Sequence, residues 1–198
     1  MSNKHKLILG ASGTGKTYYA VSQAPEPFLF FNPAGEHPDI GRSFVRFDMN
    51  NERADFHDSD LKRIEYIPHY SKEHSEQELD LIVEELMESR REWTLVIDEA
   101  QRVAKPQGKA KAVEEALFRG RKHGLNVWMV SQSPRRLADD AVEQCMGGWI
   151  LFELPYSKQY LKRKLGEMSD EFFQKMDGAQ EYSFVEWDFR EVSEVKRL

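Results

Sequence analysis

The run Gly10-Ala11-Ser12-Gly13-Thr14-Gly15-Lys16-Thr17 concentrates more potential chemistry than any other stretch of the chain. It matches the pattern G-x-x-x-x-G-K-[ST] at every defined position. Glycines at these spacings let backbone N–H groups turn toward an anion with no Cβ in the way. Lys16 has the reach for the β- and γ-phosphates of a nucleotide, and the Thr17 hydroxyl can ligate Mg²⁺. The run therefore predicts ATP and Mg²⁺ as ligands. A second chemical pair lies far along the chain. The apolar run Trp93-Thr94-Leu95-Val96-Ile97 ends in Asp98-Glu99. A carboxylate at a strand's end can hold the water shell of Mg²⁺, which gives Asp98 a metal-binding role. The acid beside it can orient or deprotonate an attacking water, which gives Glu99 a catalytic one. Asp-Glu pairs also cap helices, so the dipeptide acquires this meaning only together with the phosphate loop.

These residues need elements that bring them together. Leu7-Ile8-Leu9 reads as a strand before the phosphate loop, and Tyr18 to Gln23 as a helix after it. That order aims the helix dipole at the bound anion. Further strands are expected at 27–32, 64–68, 93–98, 125–131 and 148–153, with the first at 5–10 and a terminal one near 181–187. Strand and helix signals alternate, which predicts an α/β fold with a mostly parallel central sheet and helices on both faces. Ser75-Glu76-Gln77-Glu78 has the form of a capping box opening a helix whose apolar side is Leu79, Ile82, Val83 and Leu86. A second helix is expected from 109 to 123, stopped by Gly124. Ser157 and Gly166 bracket a short basic helix, and Ser169 and Gly178 a packing helix with Phe172, Phe173 and Met176. Residues 34–63 have no clear period and read as a long excursion.

The 198 residues suit one domain, with the core at 5–153 and packing helices and a closing strand at 154–198. With 40% hydrophobic and 31% charged residues the composition is that of a globular protein. No apolar run approaches membrane-spanning length and no signal-peptide pattern opens the chain. Cys145 is the single cysteine, so no internal disulfide can form, which suits a reducing, cytoplasmic compartment. The net charge of −6 argues against a protein that coats nucleic acid uniformly. The charge is uneven, however. Residues 101–136 hold Arg102, Lys105, Lys109, Lys111, Arg119, Arg121, Lys122, Arg135 and Arg136 against Glu114 and Glu115. A local basic surface fits a polyanion held at one place.

After the phosphate loop, Gly120 to Pro134 discriminates best. It reads as a helix end, a glycine stop, a buried strand and a polar Ser131-Gln132 at the strand tip. In ATPases with a separate catalytic glutamate, an extra strand sits between the phosphate-loop strand and the strand bearing the acids. Gln132 fits the position at its tip that senses γ-phosphate, although a solvated strand-end glutamine would look the same.

At this point the chain resembles the FtsK–HerA superfamily of ring-forming, DNA-translocating P-loop ATPases. The resemblance rests on the phosphate loop, on Leu95 to Glu99, on Gly120–Pro134 and on Phe31-Asn32-Pro33-Ala34-Gly35-Glu36-His37. The last is similar to a strand-two D-x-x-G-E-[YW] element, with Asn32 for the acid and His37 for the aromatic, which leaves the role of Glu36 open. The resemblance implies a RecA-like core, a homo-oligomeric ring, and Arg121 as an arginine finger offered to a neighbour's nucleotide, with Arg119 in reserve. A helix-end arginine that satisfies carbonyls is the plainer reading of Arg121. The chain begins nine residues before its motif and ends soon after the core. In this it looks like the genome-packaging ATPases of tailless, internal-membrane viruses. Filamentous-phage assembly proteins of the zonula occludens toxin type share the helix-glycine-strand-Gln-Pro block, but usually carry a membrane span.

The expectation is thus a Mg²⁺-dependent ATPase that moves double-stranded DNA into a viral capsid, with a capsid vertex or portal protein as a further partner. It would work in the host cytoplasm and in association with the virion. Phage extrusion or another secretion step is the alternative motor, and a slow, nucleotide-gated assembly component the alternative that is not a motor. The loop 101–111 is the candidate DNA-facing segment, through Lys105, Lys109 and Lys111, although an ordinary solvated loop has the same composition. Lys158, Lys162, Arg163 and Lys164 read as a solvated helix face.

Overall fold

The structure is a computed structural model that describes residues 5–35, 44–47, 56, 60–68, 72–89, 91–107, 111–145, 148–188 and 190–198. Strand β1 (Lys6–Leu9) leads through the glycine-rich loop into helix α1 (Lys16–Gln23), and β2 (Phe28–Phe31) follows. Then come β3 (Val45–Phe47), β4 (Arg63–Tyr66), α2 (Lys72–Glu88), β5 (Trp93–Ile97), α3 (Lys111–Phe118) and β6 (Leu125–Ser131). The chain continues through α4 (Asp139–Gln144), β7 (Trp149–Phe152), α5 (Lys158–Leu165), α6 (Met168–Met176), β8 (Ser183–Trp187) and β9 (Lys196–Arg197).

The strands form one sheet in the order β3-β4-β2-β5-β6-β1-β7-β8-β9. The first seven run parallel, and β8 and β9 close the edge antiparallel. Continuous apolar runs such as Phe28–Phe31 and Trp93–Ile97 build the middle, because a strand covered on both faces has no water-facing side. Alternate residues go to opposite faces. Ile8, Phe30, Val96, Trp128 and Val130 pack with Tyr19, Ala20 and Val21 of α1. Leu7, Leu9, Leu95, Ile97 and Met129 join the larger core on the other face, with side chains of α2 to α6. Trp93 anchors β5 there, fully buried and edge-on to Phe56 at 5.9 Å. Truncating a side chain so placed costs about 3–5 kcal/mol, enough to loosen the strand that carries the acids.

Strand β6 lies between β1 and β5, where the extra strand was expected. The α/β class, the parallel sheet and helices on both faces agree with the sequence reading. Three local expectations are corrected. The helix assigned to the capping box starts at Lys72, so Ser75 lies inside it. Glu78 is buried and accepts from the Tyr66 hydroxyl at 3.2 Å, so its carboxylate serves β4. The helix expected over 109–123 is α3 followed by a 3₁₀ turn, Gly120–His123. Gly120 is buried, and a Cβ there would meet Leu125 at 3.2 Å, so the tighter turn brings the backbone against the coming strand. Gly124 does stop the turn, with φ 78 and no room for a Cβ, which would sit 3.0 Å from the Arg91 carbonyl. Ser169 opens no helix either, since α6 starts at Met168 and the Ser169 hydroxyl donates back to the Gly166 carbonyl at 2.7 Å. The short elements β3, α4 and β9 were not foreseen.

Candidate active site

The phosphate loop runs from the C-terminal end of β1 to the N-terminal end of α1. Gly13 and Gly15 hold φ of 78 and 91, the left-handed region that favours glycine. At Gly10 the restriction is space, since a Cβ would lie 2.6 Å from both the Phe152 Cβ and the Thr14 hydroxyl. Ala11 is the loop's internal anchor. Its N–H donates to the Glu153 carbonyl at 2.8 Å, and its carbonyl accepts from Thr14 Oγ1 at 2.9 Å and Lys16 Nζ at 2.6 Å. Ser12 and Gly13 are exposed at the loop's tip. Burial pushes the pKa of the Lys16 ammonium down, and Asp98 and Glu99 pull it back up. The two carboxylates favour the charged ammonium, and a cation withdrawn from water interacts more strongly with a phosphate brought to it than a solvated one does.

The β5 tip meets this loop. Thr17 Oγ1 donates to Asp98 Oδ2 at 3.1 Å, and Asp98 Oδ1 accepts the Glu99 N–H at 2.9 Å. Burial pushes the Asp98 carboxyl pKa up, while the hydrogen bonds from the Glu99 N–H and Thr17 favour the charged form. One hydroxyl and one half-buried carboxylate in contact are a donor set whose chemistry suits Mg²⁺, a cation that takes oxygen ligands. Among the described residues no group of three or more His, Cys, Asp or Glu could hold a metal without such help.

Glu99 sits at φ 47 and ψ 41, left-handed for a residue with a Cβ. Such backbone costs on the order of 1–3 kcal/mol and persists where the surroundings over-determine it. The surroundings here are two glutamines. Gln132 Nε2 donates to Glu99 Oε1 at 2.7 Å, and Gln101 Nε2 donates to Glu99 Oε2. The other end of the Gln101 amide accepts from the Ser131 hydroxyl at 2.7 Å. Ser131 also accepts the Gly10 N–H at its carbonyl, at 3.3 Å, so the β6 tip is tied to both acid and phosphate loop. Lys16, Thr17, Asp98, Glu99 and Gln132, taken from the sequence as site residues, thus converge. Gln101 was missed as a member. Its signal would have been its position two residues after Glu99, on the turn that follows the strand.

Other sequence candidates lie apart. Arg121 is exposed in the turn before β6, at the opposite end of that strand from Gln132. It neighbours His5 at the foot of β1. Burial, and then the Arg121 charge, push the His5 pKa down to about 4. Arg119 pairs with Glu115 at 3.9 Å. Lys105 lines a cleft of about 1140 Å³ that also reaches Glu99. Lys111 lies in a different groove and pairs with Glu115 at 3.8 Å. Lys109, Glu36 and His37 lie outside the described residues. Asn32 is fully buried and bridges Glu65, at 2.9 Å, to the Gly35 N–H, at 3.1 Å, so it shapes the turn after β2. Of the cluster on α5, Lys158, Lys162 and Arg163 are exposed, as a solvated face requires, and Lys164 is half-buried. Lys164 pairs with Asp139 at 2.9 Å and Glu143 at 3.5 Å, and Lys158 lies over the Phe173 ring at 5.3 Å. Cys145 is buried in the core.

Comparison with known proteins adds family and fold. A family model described as zonular occludens toxin (Zot) matches residues 5–148. No curated protein matches the chain. Among solved structures, the genome packaging NTPase B204 from Sulfolobus turreted icosahedral virus 2, in complex with AMPPCP, superposes with a TM-score of 0.69. The identity is 17%, over 100% of both chains. B204 described as the DNA-packaging ATPase of Sulfolobus turreted icosahedral virus gives a TM-score of 0.68, again at 17% identity over 100% of both. The N-terminal domain of zonular occludens toxin from Neisseria meningitidis is 16% identical over 95% of this chain and 85% of that one, with a TM-score of 0.45. At these identities the B204 likeness is one of fold. This chain has the P-loop NTPase fold, with the mostly parallel sheet of those proteins.

Proposed function

The chain belongs to the zonular occludens toxin (Zot) family, and from that premise and the site's geometry we propose that it is a Mg²⁺-dependent ATPase that moves double-stranded DNA. The observation that carries the proposal is the Thr17–Asp98 hydrogen bond of 3.1 Å, which joins phosphate loop and acid-bearing strand beside Glu99. Lys16 would leave the Ala11 carbonyl to neutralise the β- and γ-phosphates. Thr17 and Asp98 would hold Mg²⁺, which would neutralise charge developing on the phosphates when bound. Glu99 would take the proton of the attacking water, and Gln132 would turn from Glu99 to the γ-phosphate. Arg121 would serve the site of a neighbouring copy, in a homo-oligomeric ring.

Packaging of a viral genome into a capsid is the reading we favour. It is supported by the fold shared with B204, whose structures are described as those of a genome or DNA-packaging enzyme. A capsid vertex or portal protein would be the docking partner, and the motor would work in the host cytoplasm and at the virion. Family membership supports a second reading, an ATPase for filamentous-phage extrusion or another secretion step. Among the described residues no helix is long and apolar enough to cross a membrane. The test is the ATPase rate with and without long duplex DNA, at several protein concentrations. The proposal expects Mg²⁺-dependent turnover that rises with duplex, and loss of nucleotide binding and turnover in Lys16→Ala. Wild-type protein without turnover, or Lys16→Ala with unchanged nucleotide affinity, overturns it. Stimulation by single strands alone turns the proposal to extrusion.

A further inference from the structure

The cleft that reaches Glu99 lies among the segments that follow β2, β4, β5 and β6. Its cations are Arg102 and Lys105 after β5, and Arg135 and Arg136 after β6. The last two segments are cross-linked, by Ser131 Oγ to Gln101 at 2.7 Å and by the Ala138 N–H to the Ala104 carbonyl at 2.8 Å. Three arginines thus line one braced opening together with Lys105, which pairs with Glu76 at 3.9 Å, on a protein with a net charge of −6. Glu99 is the one carboxylate among the described lining residues, and both its oxygens already accept from amides. Arg135 and Arg136 are exposed. Arg102 spends its guanidinium on a carbonyl, that of Pro33, at 3.3 Å. An anion with several charges along its length is the ligand such a cleft favours.

Gln101 and Arg102 are consecutive residues of one three-residue turn, Ala100–Arg102. An anion drawing Arg102 away from Pro33 would therefore act on the same turn that carries the Gln101 amide against Glu99. The amide on each Glu99 oxygen fixes the carboxylate's orientation and competes with water for the same lone pairs. We infer that this cleft takes the backbone phosphates of the polynucleotide, and that phosphates seated on Arg102 loosen the grip of Gln101 on Glu99, so that hydrolysis waits for nucleic acid. This rests on the ATPase reading above and adds to it the path of the polymer and the control of the base.

The experiment uses the full chain and a fluorescein-labelled duplex, with a single strand of equal length in parallel. Binding is read by anisotropy across a range of salt concentrations. Arg135→Ala combined with Arg136→Ala is expected to bind duplex at least tenfold more weakly. Its log–log salt slope should be shallower by about 1.8, at about 0.9 per lost phosphate contact. Tighter binding of the single strand would assign the same cleft to single-stranded backbone. Polyglutamate displacing the probe as well as unlabelled DNA does, or a double variant with wild-type affinity and slope, overturns the assignment. For the control of Glu99, Gln101→Ala should hydrolyse ATP about tenfold faster than wild type without DNA, and should gain less when DNA is added. Gln101→Met, of similar length, guards against a collapse of the turn and should behave alike. DNA-free turnover at or below wild type in both variants overturns the coupling. A wild-type protein that never hydrolyses ATP defeats the ATPase reading itself, whereas an active wild type with indifferent variants defeats this inference alone.

Discussion

Replacing Arg121 separates two accounts of the site by orders of magnitude. Strand β6 spans Leu125–Ser131, six residue steps, so its ends lie about 20 Å apart at about 3.3 Å per step. Arg121 precedes one end, and Gln132, with Glu99 beside it, follows the other. The guanidinium cannot bridge that span to its own chain's site. Two unit charges about 20 Å apart in water interact by roughly 0.2 kcal/mol, and a Debye length of about 8 Å leaves roughly a tenth of that. Through its own chain, Arg121→Ala should therefore change the rate by only about 3%. Acting on a neighbour's transferring phosphoryl group, the same side chain contributes on the order of 10³–10⁵ in rate. The assay is steady-state ATPase at protein concentrations where assembly is verified by light scattering, first for Arg121→Ala and then for its mixture with Lys16→Ala. The variant should bind nucleotide normally and fail to turn over. In an equal mixture, roughly a quarter of head-to-tail interfaces pair an intact Lys16 with an intact Arg121, and activity should return in proportion. A kcat for Arg121→Ala within twofold of wild type, or no rescue in oligomers shown to be mixed, refutes the reasoning.

Two further outcomes are expected. Glu99→Gln keeps the shape of the side chain but cannot take a proton, so nucleotide binding should persist while kcat falls by about 10²–10⁴, measured by single-turnover kinetics; a kcat within a few-fold of wild type removes Glu99 from the proton transfer. His5 is neutral and buried with its Nδ1 accepting the Val127 N–H at 2.8 Å, and its pKa is pushed down to about 4, whereas the unfolded chain takes the proton near the ordinary 6.5. Stability is therefore fully present above the ordinary value and is lost as pH falls through the folded one, by about 3 kcal/mol in all. Urea unfolding of His5→Asn, which keeps the acceptor and does not titrate, should show a flatter dependence over that window, and equal slopes for the two proteins would refute the assignment.

What could be read from sequence depended on whether a residue's partners were its neighbours. The phosphate loop is contiguous, and the strand and helix around it follow from apolar runs on either side. Asp98, Glu99 and Gln132 were legible because each stands where a buried strand ends. Gln101 was not, since what gives it meaning is the Ser131 hydroxyl, which only the β5–β6 pairing brings near. Glu78 misled for the same reason. Its helix-capping spacing is real, but Tyr66 on β4 claims the carboxylate. The split between α3 and the turn after it follows from the approach of Gly120 to Leu125, a tertiary demand that local propensity does not record. The segments β3 and β9, of three and two residues, are too short to carry a period. Lys105 and Lys111 belong to one basic stretch of sequence, yet they line separate grooves, Lys111 at the start of α3.

The placement of Arg121 and Gln132 at the two ends of β6 has a consequence for timing. A strand held by hydrogen bonds on both sides, to β1 and to β5, behaves as a stiff rod. With Arg121 in a neighbour's site, one end of the rod would read that neighbour's phosphate while the other stands beside Glu99 of its own chain. A small axial shift at one end would be carried toward the other together with the paired strands, because packed interiors compress little. Firing at one site would then set the readiness of the next, and the subunits would act in succession like escapement teeth. The order of events around the assembly would be written into a single seven-residue strand.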